Sequence, residues 1–108
     1  MTQAAGSVSV APHVLNNLIA LAVREVPGIA RLGTSPRARS RLRGDGIALA
    51  IGADGVNADC YLVALPDTNL VDLGIAVQAT VAAVIRELAG MVVREVNVYI
   101  QDVEAANA

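Results

Sequence analysis

Two stretches of the chain carry apolar residues at helical spacing. The first runs from about residue 12 to 25, and its apolar positions recur every three or four residues: Leu15, Leu18, Ile19, Ala22, Val23 and Val26. This spacing places them on one face of a helix. Pro12 suits the first turn of that helix, and Pro27 with Gly28 ends it. The second stretch has the same repeat and ends before Gly90, a typical left-handed cap: Leu70, Leu73, Val77, Val81, Val84 and Leu88.

Elsewhere the pattern has a period of two, which is typical of strands. Ser7 to Val10 alternate polar and apolar residues and predict a short first strand. Two further strands are predicted, one around Ile47 to Ile51 and one from Val56 to Leu65, joined by a hairpin turn at Asp54-Gly55. The last segment, Val92 to Val103, predicts a strand with one apolar face (Val96, Val98, Ile100) and one polar face (Glu95, Asn97, Tyr99, Gln101).

The start of the second helix contains two cap signals and one conflict. Thr68 or Asn69 can cap it, and Asp72 in the first turn is favourable to the helix dipole. Gly74 costs up to about 1 kcal/mol relative to Ala inside a helix. We therefore expect either a close-packed neighbour at Gly74 or a helix that begins later.

The order of elements, β-α-β-β-α-β, predicts an α+β fold. We expect a two-layer sandwich with both helices on one face of a mostly antiparallel sheet. The 108 residues correspond to a single domain over 1–108, with short flexible ends at about 1–6 and 104–108. Residues 30–45 are rich in Gly, Pro, Ser and Arg and are interpreted as an Arg-rich connection.

Composition and charge add two facts to this outline. Phe and Trp are absent, so aliphatic side chains must build the core. All eight basic residues are arginine; six of them lie between Arg24 and Arg43 with a single acid, a local net charge of +5. The rest of the chain has two arginines and nine acids, a net charge of −7. Such a split favours contact with a polyanion or with a second copy of the chain.

Four alternate arginines within the connection are the candidate anion or partner contacts: Arg37, Arg39, Arg41 and Arg43. In an extended segment they would project to one side, where guanidinium groups bind phosphates or carboxylates bidentately. The plainer interpretation is a solvated charged connection. RNA or anionic lipid is the alternative ligand class, although the acidic pI of about 5.1 and the lack of interleaved aromatic residues disfavour nucleic acid.

Candidate catalytic chemistry is sparse. His13 and Cys60 are the only residues of their types, whereas catalytic triads and metal sites combine several such groups. His13 is expected on an exposed helix surface, and Cys60 is expected to face the core as a small hydrophobe. Turns and helix caps account for Asp54, Asp67 and Asp72 but leave Asp59 unexplained. We therefore predict no enzyme, no cofactor and no metal site, with an enzyme or small-ligand protein of hidden pocket as the remaining alternative.

Hydropathy predicts no membrane span. Leu73 to Ile85, the longest uncharged stretch of the second half, has 13 residues, and a spanning helix needs about 17–25. The first ten residues lack the basic and apolar regions of a signal peptide. A cytoplasmic location is the expectation, with membrane association only through a partner.

Five segments, in order, resemble one protein family. They are Gly6–Val10 before the first helix, Val23–Ile29 at its end, Val56–Val63 in a strand, Gln78–Val81 in the second helix, and Gly90–Ile100. In these segments, which lie within residues 6–103, the chain resembles the alkaline shock protein family of bacterial envelope stress response proteins. It departs from the family at Pro66-Asp67, where a glycine-containing turn is usual, and in having Arg rather than Lys in the connection.

The resemblance implies a non-enzymatic protein of stress response and cell-envelope homeostasis. Its expected role is an interaction or self-assembly module. The expected partners are a second copy of itself, as a homo-oligomer, and a membrane-anchored protein on which it docks. The resemblance brings no catalytic residues with it.

Overall fold

Two helices and four strands make up this computed structural model, which describes residues 5–36 and 46–105 of the chain. The elements are α1 (Pro12–Arg24), β1 (Ile29–Leu32), β2 (Ile47–Gly52), β3 (Gly55–Ala64), α2 (Leu70–Ala89) and β4 (Val93–Val103). Both helices pack against the same face of one sheet, so the predicted α+β two-layer fold is confirmed.

The sheet is three strands wide because β1 and β2 lie end to end. Both pair antiparallel with β3 on the same edge: β2 opposes Gly55 to Cys60, and β1 opposes Leu62 to Ala64. On its other edge β3 pairs with β4, and this pairing is parallel. Two of the three pairings are antiparallel, in agreement with the prediction of a mostly antiparallel sheet.

The predicted strand at Ser7–Val10 is wrong. These residues form no strand, and Val8 is 94% exposed. A strand forms instead at Ile29–Leu32, inside the segment that was interpreted as a connection. This strand pairs with residues 62–64 of β3 and buries Leu32 there. Residues 7–10 therefore cannot pair with β3 at that position.

The helix bounds and caps confirm the sequence interpretation, although Leu70 and Leu88 of the predicted apolar face of α2 are exposed. Pro12 is the first residue of α1, and α2 begins after Asn69, whose side-chain oxygen accepts from the backbone N–H of Asp72 at 3.0 Å. Gly90 ends α2 in the left-handed conformation, with φ of 65°. The caps therefore follow from local hydrogen-bond chemistry.

Two details near α2 differ from expectation or extend it. Neither explanation for Gly74 holds, because α2 begins at Leu70 and a Cβ at Gly74 would meet no atom within 4 Å. Asp67, which stands where the resembling family has a glycine-containing turn, adopts a positive φ of 62°. Aspartate tolerates this conformation better than most residues, so the turn keeps its shape without glycine.

The core is aliphatic, as the composition requires. It lies between the helices and one face of the sheet, and β3 contributes its alternate residues Val56, Ala58, Cys60, Leu62 and Ala64, all fully buried. The helices add a second set of buried residues: Leu15, Ile19, Val23, Leu73, Val77, Val81 and Ile85. The opposite face of the sheet has no such cover from α1 or α2.

Candidate functional site

The face of the sheet opposite the helices, called here the helix-free face, carries charged, polar and aromatic side chains. It presents Arg31 from β1, Ala48 and Ala50 from β2, the β3 residues Asn57, Asp59, Tyr61 and Val63, and the β4 residues Glu95, Asn97, Tyr99 and Gln101. Both aromatic residues of the chain are in this set. The face divides into a bridged half around Val63 and an acidic half around Asp59.

An ion pair spans the bridged half. Arg31 Nε and Nη2 donate to the two carboxylate oxygens of Glu104 at 3.0 and 2.9 Å. Arg31 is opposite Val63, and Glu104 follows β4 on the other side of β3, so the pair crosses β3 at Val63, which is only 2% exposed. The hydrogen bond to Glu104 raises the pKa of Arg31, because it favours the protonated guanidinium.

A second bridge joins β4 to the end of β1. Gln101 accepts from the Thr34 backbone N–H at 2.9 Å and donates to the Thr34 carbonyl at 2.8 Å. A Cβ at Gly33 would collide with the Gln101 side-chain oxygen, so a larger residue there would displace the Gln101 side chain from this position. The bridge therefore holds residues 33 and 34 against the sheet.

Tyr61 is the point at which β1 ends and β2 begins. Gly33 donates its N–H to the Tyr61 carbonyl, and the Tyr61 N–H donates to the Gly46 carbonyl, both at 2.7 Å. A Cβ at Gly46 would lie 2.5 Å from the Tyr61 carbonyl oxygen, so glycine is needed here. The segment with Arg37, Arg39, Arg41 and Arg43 lies outside the described residues, but the chain on either side of it is fixed at Tyr61.

The two tyrosines stack at the boundary between the halves. Their ring centroids are 4.9 Å apart and the ring planes differ by 14°. Tyr61 is 9% exposed, whereas Tyr99 is 46% exposed. Tyr99 therefore presents ring surface next to the acidic half, as its predicted position on the polar face of the last strand suggested.

Hydrogen-bond acceptors dominate the acidic half. Asn97 donates its side-chain N–H to Asp59 Oδ1 at 3.0 Å. The Glu95 and Asp59 carboxylates form no ion pair with an arginine of the described residues. Asn57 Oδ1 is buried without a hydrogen-bond donor. On the β2 side the face carries only the methyl groups of Ala48 and Ala50.

The structure also places the single cysteine and histidine. Cys60 is fully buried on the helix-covered face, and burial, with a smaller contribution from the Asp59 charge, raises the pKa of its thiol to about 12. It is therefore a neutral thiol at physiological pH. His13 is exposed on α1, as predicted. Within residues 5–36 and 46–105, no group of three or more His, Cys, Asp or Glu residues could hold a metal ion.

Each edge of the sheet receives one hydrogen bond from a helix side chain. Asn16 of α1 donates to the Ile47 carbonyl on the β2 edge at 2.9 Å. Gln78 of α2 donates to the Val96 carbonyl on the β4 edge at 3.1 Å. These contacts satisfy two edge carbonyls that β3 does not reach, and sequence reasoning missed both because helix-to-edge contacts leave no periodic signal. Among the described helices, none has the length and apolarity to cross a membrane.

Comparison with known proteins gives a family and a fold. The sequence profile of the alkaline shock protein 23 family, described as having a cell envelope-related function, matches residues 1–105. The "Uncharacterized protein YqhY" of Bacillus subtilis (strain 168) is 23% identical over 105 aligned residues, covering 92% of this chain and 78% of that protein.

Solved structures of the MamM CTD share the fold. The copper form superposes with a TM-score of 0.64 at 18% identity, covering 90% of this chain and 91% of that one. A MamM CTD spanning its residues 215–293 gives a TM-score of 0.59 at 20% identity, covering 86% and 96%. At these identities the likeness extends to the fold alone.

Proposed function

The chain belongs to the alkaline shock protein 23 family, whose function is related to the cell envelope, and we propose that it acts there as a non-enzymatic module that self-associates. The observation that supports this role is the outer edge of β4, which pairs with no strand among residues 5–36 and 46–105. At 11 residues β4 is the longest of the described strands, and it lies at the margin of a sheet three strands wide. An edge of this length offers a row of backbone donors and acceptors to another strand.

The hydrogen bond from Gln78 identifies which β4 residues point outward. The Val96 carbonyl accepts from Gln78 and therefore points away from β3. Backbone groups alternate in direction along a strand, so Val98 and Ile100 also direct theirs to the outer edge. Asn97 and Tyr99 direct theirs to β3. The outward groups from Val98 onward are the surface that a second β4 would pair with.

Pairing two β4 strands about a two-fold axis would join the sheets. Each copy contributes the same edge, so an antiparallel β4–β4 contact closes as a dimer. The helices of both copies remain on one side and the helix-free faces on the other. The same edge is also the surface that we propose for docking a membrane-anchored partner, a step supported by the cell envelope-related function of the family.

Amide hydrogen exchange on the full chain tests this interface, with light scattering to follow mass. We expect the Val98 and Ile100 amides to become protected as protein concentration rises, in step with mass. The Asn97 and Tyr99 amides, bonded within the chain to β3, should stay protected at every concentration and serve as internal controls.

Two results would overturn the proposal. A mass that rises while the Val98 and Ile100 amides exchange freely would place the self-contact elsewhere. A mass that stays monomeric at all concentrations would end the self-association role.

A further inference from the structure

The acidic half of the helix-free face is rich in acceptors and poor in donors. Asp59 has one oxygen bonded to Asn97 and a second available, and Glu95 offers two more. A ligand that suits this surface must bring several N–H donors and positive charge. Guanidinium is such a group, with five donors and no acceptor.

The neighbouring aromatic surface fits the same group. Tyr99 presents its ring at 46% exposure, and Tyr61 fixes that ring from the other side by stacking. Guanidinium planes stack on aromatic faces, and cation–π attraction adds about 0.5–1 kcal/mol at exposed sites. Ala48 and Ala50 leave room beside Asp59 for an approaching backbone.

The charge of the molecule identifies the occupant. Residues 5–36 and 46–105 hold four arginines and nine acids, a net charge of −5. Two of those arginines are already paired, Arg31 with Glu104 and Arg94 with Asp54. The segment 37–45 holds the other four arginines with one acid, a net charge of +3. Every copy thus carries one donor-rich segment and one acceptor-rich face.

We propose that the acidic half of the helix-free face docks the Arg37–Arg43 segment of a second copy. A second copy is favoured because the described residues carry a net charge of −5 and residues 37–45 a net charge of +3, so opposite charges on two identical chains attract each other. The contact deepens the proposed self-association but uses a different surface from the β4 edge.

Complementation between two variants of the full chain tests the contact. The first variant lacks the arginines (Arg37→Ser, Arg39→Ser, Arg41→Ser, Arg43→Ser) and keeps the acidic half. The second lacks the acids (Asp59→Asn, Glu95→Gln) and keeps the segment. Calorimetric titration of one into the other should show one-to-one binding that weakens as salt is raised. Neither variant should bind itself in this way.

Matched controls separate this contact from general charge and from the β4 edge. Glu25→Gln with Glu87→Gln removes the same charge from the end of α1 and from α2, and it should leave complementation unchanged in the arginine-free variant. Asp59→Asn alone in that variant should weaken binding about fivefold, the size of one surface ion pair. Association through β4 would occur in every mixture, including each variant alone. A failure of that association would therefore not be mistaken for a failure of the contact between the arginine segment and the acidic half.

Three results would overturn the proposal. The first is a mixture of the two variants that shows no more association than each alone. The second is an arginine segment that binds equally well to a face without the two acids and to an unaltered face. The third is a single-stranded RNA or anionic vesicle that binds the chain through the same arginines while the variants fail to complement. That outcome would assign the segment to a polyanion.

Discussion

The two faces of β3 are buried by different means, although their side chains alternate along one strand. On the helix-covered face, Leu62 and its neighbours are enclosed by aliphatic side chains of α1 and α2. On the helix-free face, Val63 is almost as buried, and there an ion pair joins Arg31 of β1 to Glu104, which follows β4. The helices therefore cover only one face of β3. On the other face, the acidic half further along the strand is left for contacts with other molecules.

The largest expected difference between the faces is in their response to truncation. Leu62→Ala should lower the free energy of unfolding by about 3 kcal/mol, because the helices cannot close the cavity. Val63→Ala should cost about 1–2 kcal/mol, because the flexible side chains of Arg31 and Glu104 can settle into the space. Denaturant unfolding measures both values. Equal losses would mean that the ion pair packs as rigidly as the helices do.

Alkaline pH should sharpen the comparison at Cys60. The pKa of the Cys60 thiol is about 12 in the folded chain, compared with an ordinary value of 9.0. The unfolded chain therefore releases this proton at a lower pH than the folded chain does. Stability from the buried neutral thiol is complete below pH 9. It then falls by roughly 1 kcal/mol per pH unit as pH rises toward 12. Unfolding free energies across this range, compared with Cys60→Ala, measure the effect.

The comparison variant isolates the thiol because the two proteins differ at residue 60 alone. If Cys60→Ala loses stability with the same slope above pH 9, Cys60 does not carry the effect.

The elements that sequence predicts best are those whose pattern is local. Both helices, the β2–β3 hairpin and the polar face of β4 follow from spacing and caps. β1 was missed because its register shifts between Ile29 and Arg31, and this bulge breaks the alternation that marks a strand. Residues 7–10 alternate correctly but obtain no pairing partner.

The candidate site depends on contacts between distant residues. Asp59 was the carboxylate that turns and caps could not explain, and it is indeed part of the acidic half. The stack of Tyr61 on Tyr99 and the bond from Gln101 to Thr34 join residues 38 and 67 positions apart. They require the parallel register of β3 with β4, which no periodicity of a single strand encodes.

The smallest expected effect concerns the bridge between Gln101 and Thr34. Gln101→Ala removes two exposed hydrogen bonds and should lower the free energy of unfolding by about 1 kcal/mol. Gln101→Glu keeps the acceptor for the Thr34 N–H but loses the donor to the Thr34 carbonyl, so its loss should be smaller. Amide exchange at Thr34 should accelerate in the first variant and less in the second.

Gln78→Ala is the matched control, because it removes an amide that bonds one edge carbonyl and does not touch residue 34. It should leave exchange at Thr34 unchanged. If Gln101→Ala also leaves that exchange unchanged, the hydrogen bonds of Gly33 and Gly46 to Tyr61 alone hold this end of β1 on the sheet. The bridge between Gln101 and Thr34 would then add nothing to the position of residues 33 and 34. If exchange accelerates as expected, Gln101 is what ties Thr34 to β4.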